Sequence, residues 1–308
     1  MALVDRAPAQ PVRPSLLTSE GRHALGARAL NHPVLTILAV YLISRLVALL
    51  ALWVAATWFQ TPAGVGHDDP GLGDMFGLWD GVWYQRIAQD GYPVPLPVDA
   101  DTGRVTYSAW AFYPLYPYLV KLLMVTGMPF TAAGVVLNVV LGGVAALLIW
   151  AVLRSGEHAD RQPQRDRLAL VAAGLWCFYP TTAVMLKPYT EALAVALVAG
   201  ALLMLIRRNY LLVALVAIPL GFARGVAPAL GVAVLIHLVV RWREDRAAGV
   251  PPLLGQRWRA LVMLAAVGVR GVAWPVVAAV ATGVPTAFFD VQAAWGQHVE
   301  EQIGRAHV

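Results

Sequence analysis

The sequence predicts an all-α, polytopic membrane protein. It is read as a helical bundle with a long first extracytoplasmic loop that contains short interfacial helices. Three observations carry this. Of 308 residues, 59% are hydrophobic and only 13% are charged, about half the charged share of a soluble domain. The apolar residues are gathered into runs: 128–153 is 26 residues without a charge, and 168–186 is a further 19. Roughly 20 such residues span a bilayer. The basic residues are also sorted between alternate connecting segments, as the positive-inside rule requires. This composition excludes a disordered chain and weighs against a soluble globular enzyme.

The elements follow in order. Residues 1–33 form a cytoplasmic tail. Four Arg and three Pro precede residue 33, so the tail is no secretory signal. The first span is 34–58, followed by the polar loop 59–127. The second span is 128–153, and the third and fourth are 168–186 and 189–206. Residues 210–240 read as a hairpin broken by Pro219, Gly221, Gly225 and Pro228. Each arm of about 15 residues, at ~1.5 Å per residue, falls short of a ~30 Å core. The last span is 260–281. With the N-terminus in the cytoplasm, the inside segments hold 15 basic residues and the outside segments six.

The net charge of +5 does not point to nucleic acid. Of 23 basic residues only Lys121 and Lys187 are Lys. That skew towards Arg, with abundant Ala, Val and Gly, indicates a GC-rich bacterial genome. Cys177 is the one cysteine, which excludes an intramolecular disulfide.

The acidic residues gather in the first loop, which holds seven Asp between residues 59 and 127. Within it, 78–92 reads as an amphipathic helix whose apolar stripe is Trp79, Val82, Trp83, Tyr84 and Ile87. Gly91 and Pro93 end it. Such a helix is expected on the membrane surface with its aromatics at headgroup level. Asp80 then stands at its start, where a lipid-linked substrate presents its headgroup. The alternative is a plain helix cap. The stretch Ala111-Phe-Tyr-Pro-Leu-Tyr-Pro117 cannot be a helix interior; it suits either a substrate site or an interfacial aromatic anchor.

The string Trp79-Asp-Gly-x-Trp-Tyr-x-x-Ile-Ala-x-x-Gly-Tyr92, followed by Ala111-Phe-Tyr-Pro-Leu-Tyr-Pro117, resembles the bacterial relatives of PIG-V, the second mannosyltransferase of glycosylphosphatidylinositol synthesis. Three later pieces are similar to the same family, in family order. They are Tyr179-Pro-Thr-Thr-Ala with Tyr189-Thr-Glu191, the break containing Arg224, and Thr282-Gly-Val-Pro-Thr-Ala with Gln292-Ala-Ala-Trp295. The pattern departs at the break, where Arg224 is followed by Gly225-Val-Ala-Pro228 rather than by Pro.

The resemblance implies a GT-C-like helical bundle in the bacterial plasma membrane. It implies an inverting glycosyltransferase that takes mannose from a polyprenyl-phosphate donor on the extracytoplasmic face. The acceptor would be a lipid, glycan or protein hydroxyl. It also implies a catalytic base in the first outside loop, which assigns Asp80. For the leaving phosphate Arg224 is the first candidate, with Arg86 and Lys187 behind it. The motif aromatics Trp79, Trp83, Tyr84 and Tyr113 are expected to bind substrate. Glu191 is expected to shape the sugar pocket, or else to be a first-turn acid. Asp74 is a candidate second carboxylate. His67-Asp68-Asp69 has metal-ligand residue types but suits a solvated loop better, so no metal and no cofactor are expected. The expected partners are the bilayer and the lipid-linked donor.

Arg45 and Arg270 lie deep within spans, and are expected to pair with acids across the bundle or to bind a lipid phosphate. Asn138, between Gly134 and Gly142, reads as an interhelical hydrogen bond at a close helix contact. Two readings of other classes stand beside the transferase: a transporter or flippase built on broken helices, and a non-catalytic scaffold subunit. The last six residues, Ile303-Gly-Arg-Ala-His-Val308, read like a translated sequencing adapter. Residues 34–302 are therefore expected to be a C-terminally truncated domain with a spurious tail at 303–308.

Overall fold

The apolar runs become helices. The computed structural model describes residues 29–59, 71–155 and 162–296. Most of the N-terminal tail, His67-Asp68-Asp69 and residues 303–308 lie outside them.

Helix α1, Pro33–Trp58, opens on a proline, whose missing N–H costs nothing at a helix start. In the loop that follows are α2 (Leu72–Gly77), α3 (Asp80–Asp90) and α4 (Leu115–Met124). Then come α5 (Phe130–Arg154) and α6 (Gln162–Phe178). Next are α7 (Glu191–Ile206), α8 (Tyr210–Gly221) and α9 (Ala227–Ala247). The last are α10 (Arg257–Thr282) and α11 (Ala287–Ala294). Helices α1, α5 and α10 are long and apolar enough to cross a membrane.

The third expected span is not one helix. Helix α6 ends at Phe178, the chain bends by 69°, and a 3-10 segment runs over Pro180–Leu186. The pair counts as a fourth span only if taken together. Pro180 explains the break, since it lacks an N–H and disfavours helical backbone at Tyr179. The 210–240 hairpin is also unequal: α8 has 12 residues and α9 has 21.

Helix α5 is central and packs on α1, α6 and α7, while α8 sits between α7 and α10. Small residues set these distances. A Cβ at Gly142 would lie 2.2 Å from the Tyr41 hydroxyl on α1, and one at Gly134 would lie 2.5 Å from Pro188. The close contact expected around Asn138 is therefore made with α1 and with the segment before α7. At the α8–α10 crossing, a Cβ at Gly221 would meet the Arg270 Cβ at 2.7 Å and its carbonyl oxygen at 3.0 Å. Because those are largely backbone atoms, they cannot yield. Gly221→Val is expected to lower stability by at least about 1–3 kcal/mol, read as a lower melting temperature in detergent.

Arg45 does not follow the expectation of an acid partner. Arg45 donates to the Cys177 carbonyl at 2.7 Å, to Thr182 Oγ1 at 2.9 Å and to the Thr182 carbonyl. Breaking α6 leaves carbonyls without helical partners, and one guanidinium with five donors reaches that of Cys177 at the end of α6 and that of Thr182 on the 3-10 segment. Arg270 is buried against Gly221, and its Nε donates to the Val267 carbonyl at 3.3 Å.

The first loop folds onto the bundle. Helix α3 buries Tyr84, Ile87 and Ala88 against Tyr116, Val120 and Phe130. The expected stripe is thus corrected: Trp79 is 70% exposed and Val82 is exposed too. The sequence stripe was too broad to choose a face, and α4 with Phe130 chose the Tyr84 side. Pro117 lies inside α4 but within its first turn, where helix tolerates it.

Candidate functional site

Asp80 owes its position to an unusual turn. Trp79, the residue before it, has φ 55° and ψ −120°, a conformation rare for a bulky side chain. Two contacts hold the turn. The Tyr189 hydroxyl donates to the Leu78 carbonyl at 2.7 Å. The Lys187 Nζ sits 4.1 Å from the Trp79 ring centroid and 5.2 Å from that of Tyr189. Trp79 is the N-cap, so Asp80 is the first helical residue and not the cap. Its carboxylate faces the positive end of α3.

Asp80 opens into a cavity of about 620 Å³ walled also by Tyr84, Tyr113, Arg224, Gln292 and Trp295. Arg224 comes from the link between α8 and α9. That link is tied to the loop by the Leu115 N–H, which donates to the Phe222 carbonyl at 2.9 Å. Gly225 lies against Tyr113, where a Cβ would meet the hydroxyl at 3.0 Å. Arg224 Nη1 donates to Glu191 Oε1 at 2.7 Å and to Thr190 Oγ1 at 2.8 Å. The other Glu191 oxygen is buried without a hydrogen-bond partner. The Arg224 side chain keeps 41% exposure, so the ion pair leaves donors facing the cavity.

Burial, and after it the Glu191 carboxylate, push the Asp80 carboxyl above its ordinary value, while Arg224 and Lys187 pull it partly back. Burial likewise pulls the Lys187 ammonium below its ordinary value, against the opposing effect of Asp80. A carboxylate made more basic and kept beside cations suits proton acceptance.

Two further cavities meet Arg224. One of about 500 Å³ runs between α9 and α10 and is lined by Gly221, Gly231, Gly268 and Leu235. The other, about 380 Å³, runs along α7 past Val195, Val198 and Leu202. Arg224 borders both as well as the central cavity. Their walls are mostly apolar, which suits hydrocarbon chains.

No family model, curated protein or solved structure matches the chain.

The expected site residues separate into groups. Asp80, Tyr84, Tyr113 and Arg224 wall the cavity, and Glu191 is joined to it through Arg224. Lys187 is 4% exposed and does not line the cavity; it stands behind Asp80 as a counter-charge rather than as a phosphate ligand. Trp83 is one layer back, stacked on Phe112 with centroids 5.7 Å apart. Arg86 is exposed and covers the Trp83 ring. Trp79 covers the Lys187 ammonium and is not among the residues that wall the cavity. Asp74 accepts from the Gly71 N–H at 2.8 Å, as a cap of α2 and not as a second carboxylate of the cavity. Among the described residues no group of three His, Cys, Asp or Glu is placed to hold a metal.

Helix α11 is the wall that the site assignment from sequence missed. Gln292 Nε2 donates to the Ala111 carbonyl at 3.0 Å. Trp295 meets Trp83, Phe112 and Tyr107 edge-on. The Gln292–Trp295 motif was the available signal, but nothing in its composition says that it faces Asp80.

Proposed function

We propose that this chain is a membrane-embedded inverting glycosyltransferase of the GT-C type. It moves a sugar, mannose by the resemblance, from a polyprenyl-phosphate donor to a hydroxyl on the extracytoplasmic face of a bacterial plasma membrane. One observation carries the reading. A partly desolvated carboxylate and a guanidinium share one cavity, and that guanidinium also borders apolar grooves on the flanks of the bundle. A lipid-phosphate sugar needs this combination of polar chamber, cation and hydrocarbon channel.

The acceptor oxygen attacks the anomeric carbon as the bond from that carbon to the phosphate oxygen breaks. The acceptor proton passes to an Asp80 carboxylate oxygen. The bonding electrons leave with polyprenyl phosphate, whose developing charge Arg224 stabilises. Tyr84, Tyr113, Gln292 and Trp295 form the chamber in which the sugar is held.

Membranes carrying the chain, given labelled polyprenyl-phosphate mannose and a crude lipid and glycan extract, are expected to yield a labelled product. Its anomeric configuration is expected to be opposite to the donor's. A product of retained configuration would overturn direct displacement. Movement of the intact donor across sealed vesicles without transfer would favour a transporter instead.

A further inference from the structure

Lys187, and Glu191 at the start of α7, follow a segment that has no α-helix of its own to steady it. Between Phe178 and Glu191 the chain bends, passes through Pro180–Leu186, and becomes extended at Lys187. Such backbone inside a bundle must find its hydrogen bonds elsewhere. Two buried side chains supply them. Arg45 grips the start of this strut through Cys177 and Thr182. Asn138, fully buried in the middle of α5, grips the end. Its Nδ2 donates to the Tyr189 carbonyl at 3.0 Å and to the Lys187 carbonyl. A flipped amide would set its oxygen against both carbonyls, so the donor assignment is forced. One turn earlier on α5, Pro188 fills the space that a Cβ at Gly134 would need.

From these fixed points the site follows. Lys187 is directed beneath Trp79. Tyr189 holds the Leu78 carbonyl two residues before Asp80. Thr190 and Glu191 receive Arg224.

We infer that Asn138 is a positioning residue: its buried amide fixes the Lys187–Tyr189 backbone, and through it both the cation behind Asp80 and the turn on which Asp80 stands. The placement is independent of the proposed activity; only its effect on turnover rests on that reading.

The chain's two lysines make a direct test. Lys187 is 4% exposed, whereas Lys121 is exposed. Membranes are treated with an amine-acylating reagent, and the Lys187-to-Lys121 labelling ratio is read by peptide mass spectrometry. Asn138→Leu keeps the branched outline of the side chain and removes the donors. It is expected to raise the ratio about tenfold, the factor given by losing roughly one net hydrogen bond from the closed state. Asn138→Ser keeps one donor and is expected to fall between; it also serves if the Leu variant is not recovered. Tyr210→Phe, which removes a buried hydroxyl beside His237 at 3.2 Å, is expected to leave the ratio unchanged.

In the transfer assay, releasing Lys187 withdraws a positive charge from Asp80. The other groups facing Asp80 are Glu191 on α7, Arg224 on the α8–α9 link, Tyr84 on α3 and Tyr189 on the strut. The acid limb of the rate is expected to move to higher pH. Lys187→Met should give the same movement, with Asn138→Leu adding none on top of it. An unchanged ratio, or labelling of both lysines rising together, overturns the inference. A raised ratio in a chain that transfers no sugar supports the positioning role and removes the transferase reading.

Discussion

Asp80→Asn is expected to lower sugar transfer by about 10²–10⁴-fold at equal expression. The amide has the same shape but cannot take the acceptor's proton. A second, opposite effect should accompany the loss. Burial and Glu191 raise the folded-state pKa of Asp80 above its ordinary value. A raised carboxyl contributes stability that is full below its unfolded pKa and is lost as pH rises through the folded one. At neutral pH the ionised side chain therefore burdens the fold, and Asn, which mimics the neutral form, should relieve it. The variant is expected to melt higher than the parent while failing to transfer. The parent's own rate should fall on the acid side as Asp80 protonates. Equal transfer by both proteins would remove Asp80 as base and move attention to Glu191, since Asp74 is not among the residues that wall the cavity.

Arg224→Met is expected to cost about 10²–10³-fold in turnover, the scale seen when a preorganised charge-stabilising donor is removed. Among the described residues the cavity wall holds no other cation. The change also leaves the Glu191 carboxylate without its 2.7 Å partner. Asp80 then loses the pull of Arg224 and feels Glu191 undiminished. Its proton affinity rises, and the acid limb of the rate should move to higher pH. Arg224→Lys restores charge but not the two-pronged donor geometry, and is expected to recover only part of the rate. Full turnover with an unmoved acid limb in Arg224→Met would reduce Arg224 to an anchor for Glu191.

Three spans, α1, α5 and α10, were legible because length and apolarity alone decide whether a segment suits a bilayer, whereas the span expected at 189–206 is the 16-residue α7, shorter than the three. The break at Tyr179–Pro180 was legible in principle, from the proline, but the apolar run through it hid the bend. The partners of Arg45 and Asn138 were not legible. Both are backbone carbonyls of a remote segment, and a carbonyl carries no residue identity for a sequence to show. For the same reason Lys187 read as a phosphate ligand: the Asn138 hydrogen bonds and the packing of Pro188 on Gly134, which together turn it behind Asp80, show no sign in the sequence. Asp80 and Arg224 were named from the family resemblance, helped by the place of Asp80 at the start of a predicted helix and of Arg224 in the broken 210–240 hairpin. Helix α11 was missed as a wall of the site because its eight residues carry no such break.

Arg45 belongs to α1, whose outer face shows Leu35, Leu46 and Leu50 to the surroundings. Its inner face grips the corner of the strut. A helix so placed answers to hydrophobic mismatch, since it tilts when the hydrocarbon layer thickens or thins. A tilt of α1 would reach the corner that orders Lys187 and Glu191 through the Arg45 guanidinium and through the packing of α1 on α6 and on Pro180–Leu186. If the chamber carries out the proposed transfer, the lipid environment is mechanically linked to it, and acyl-chain length is expected to change the rate.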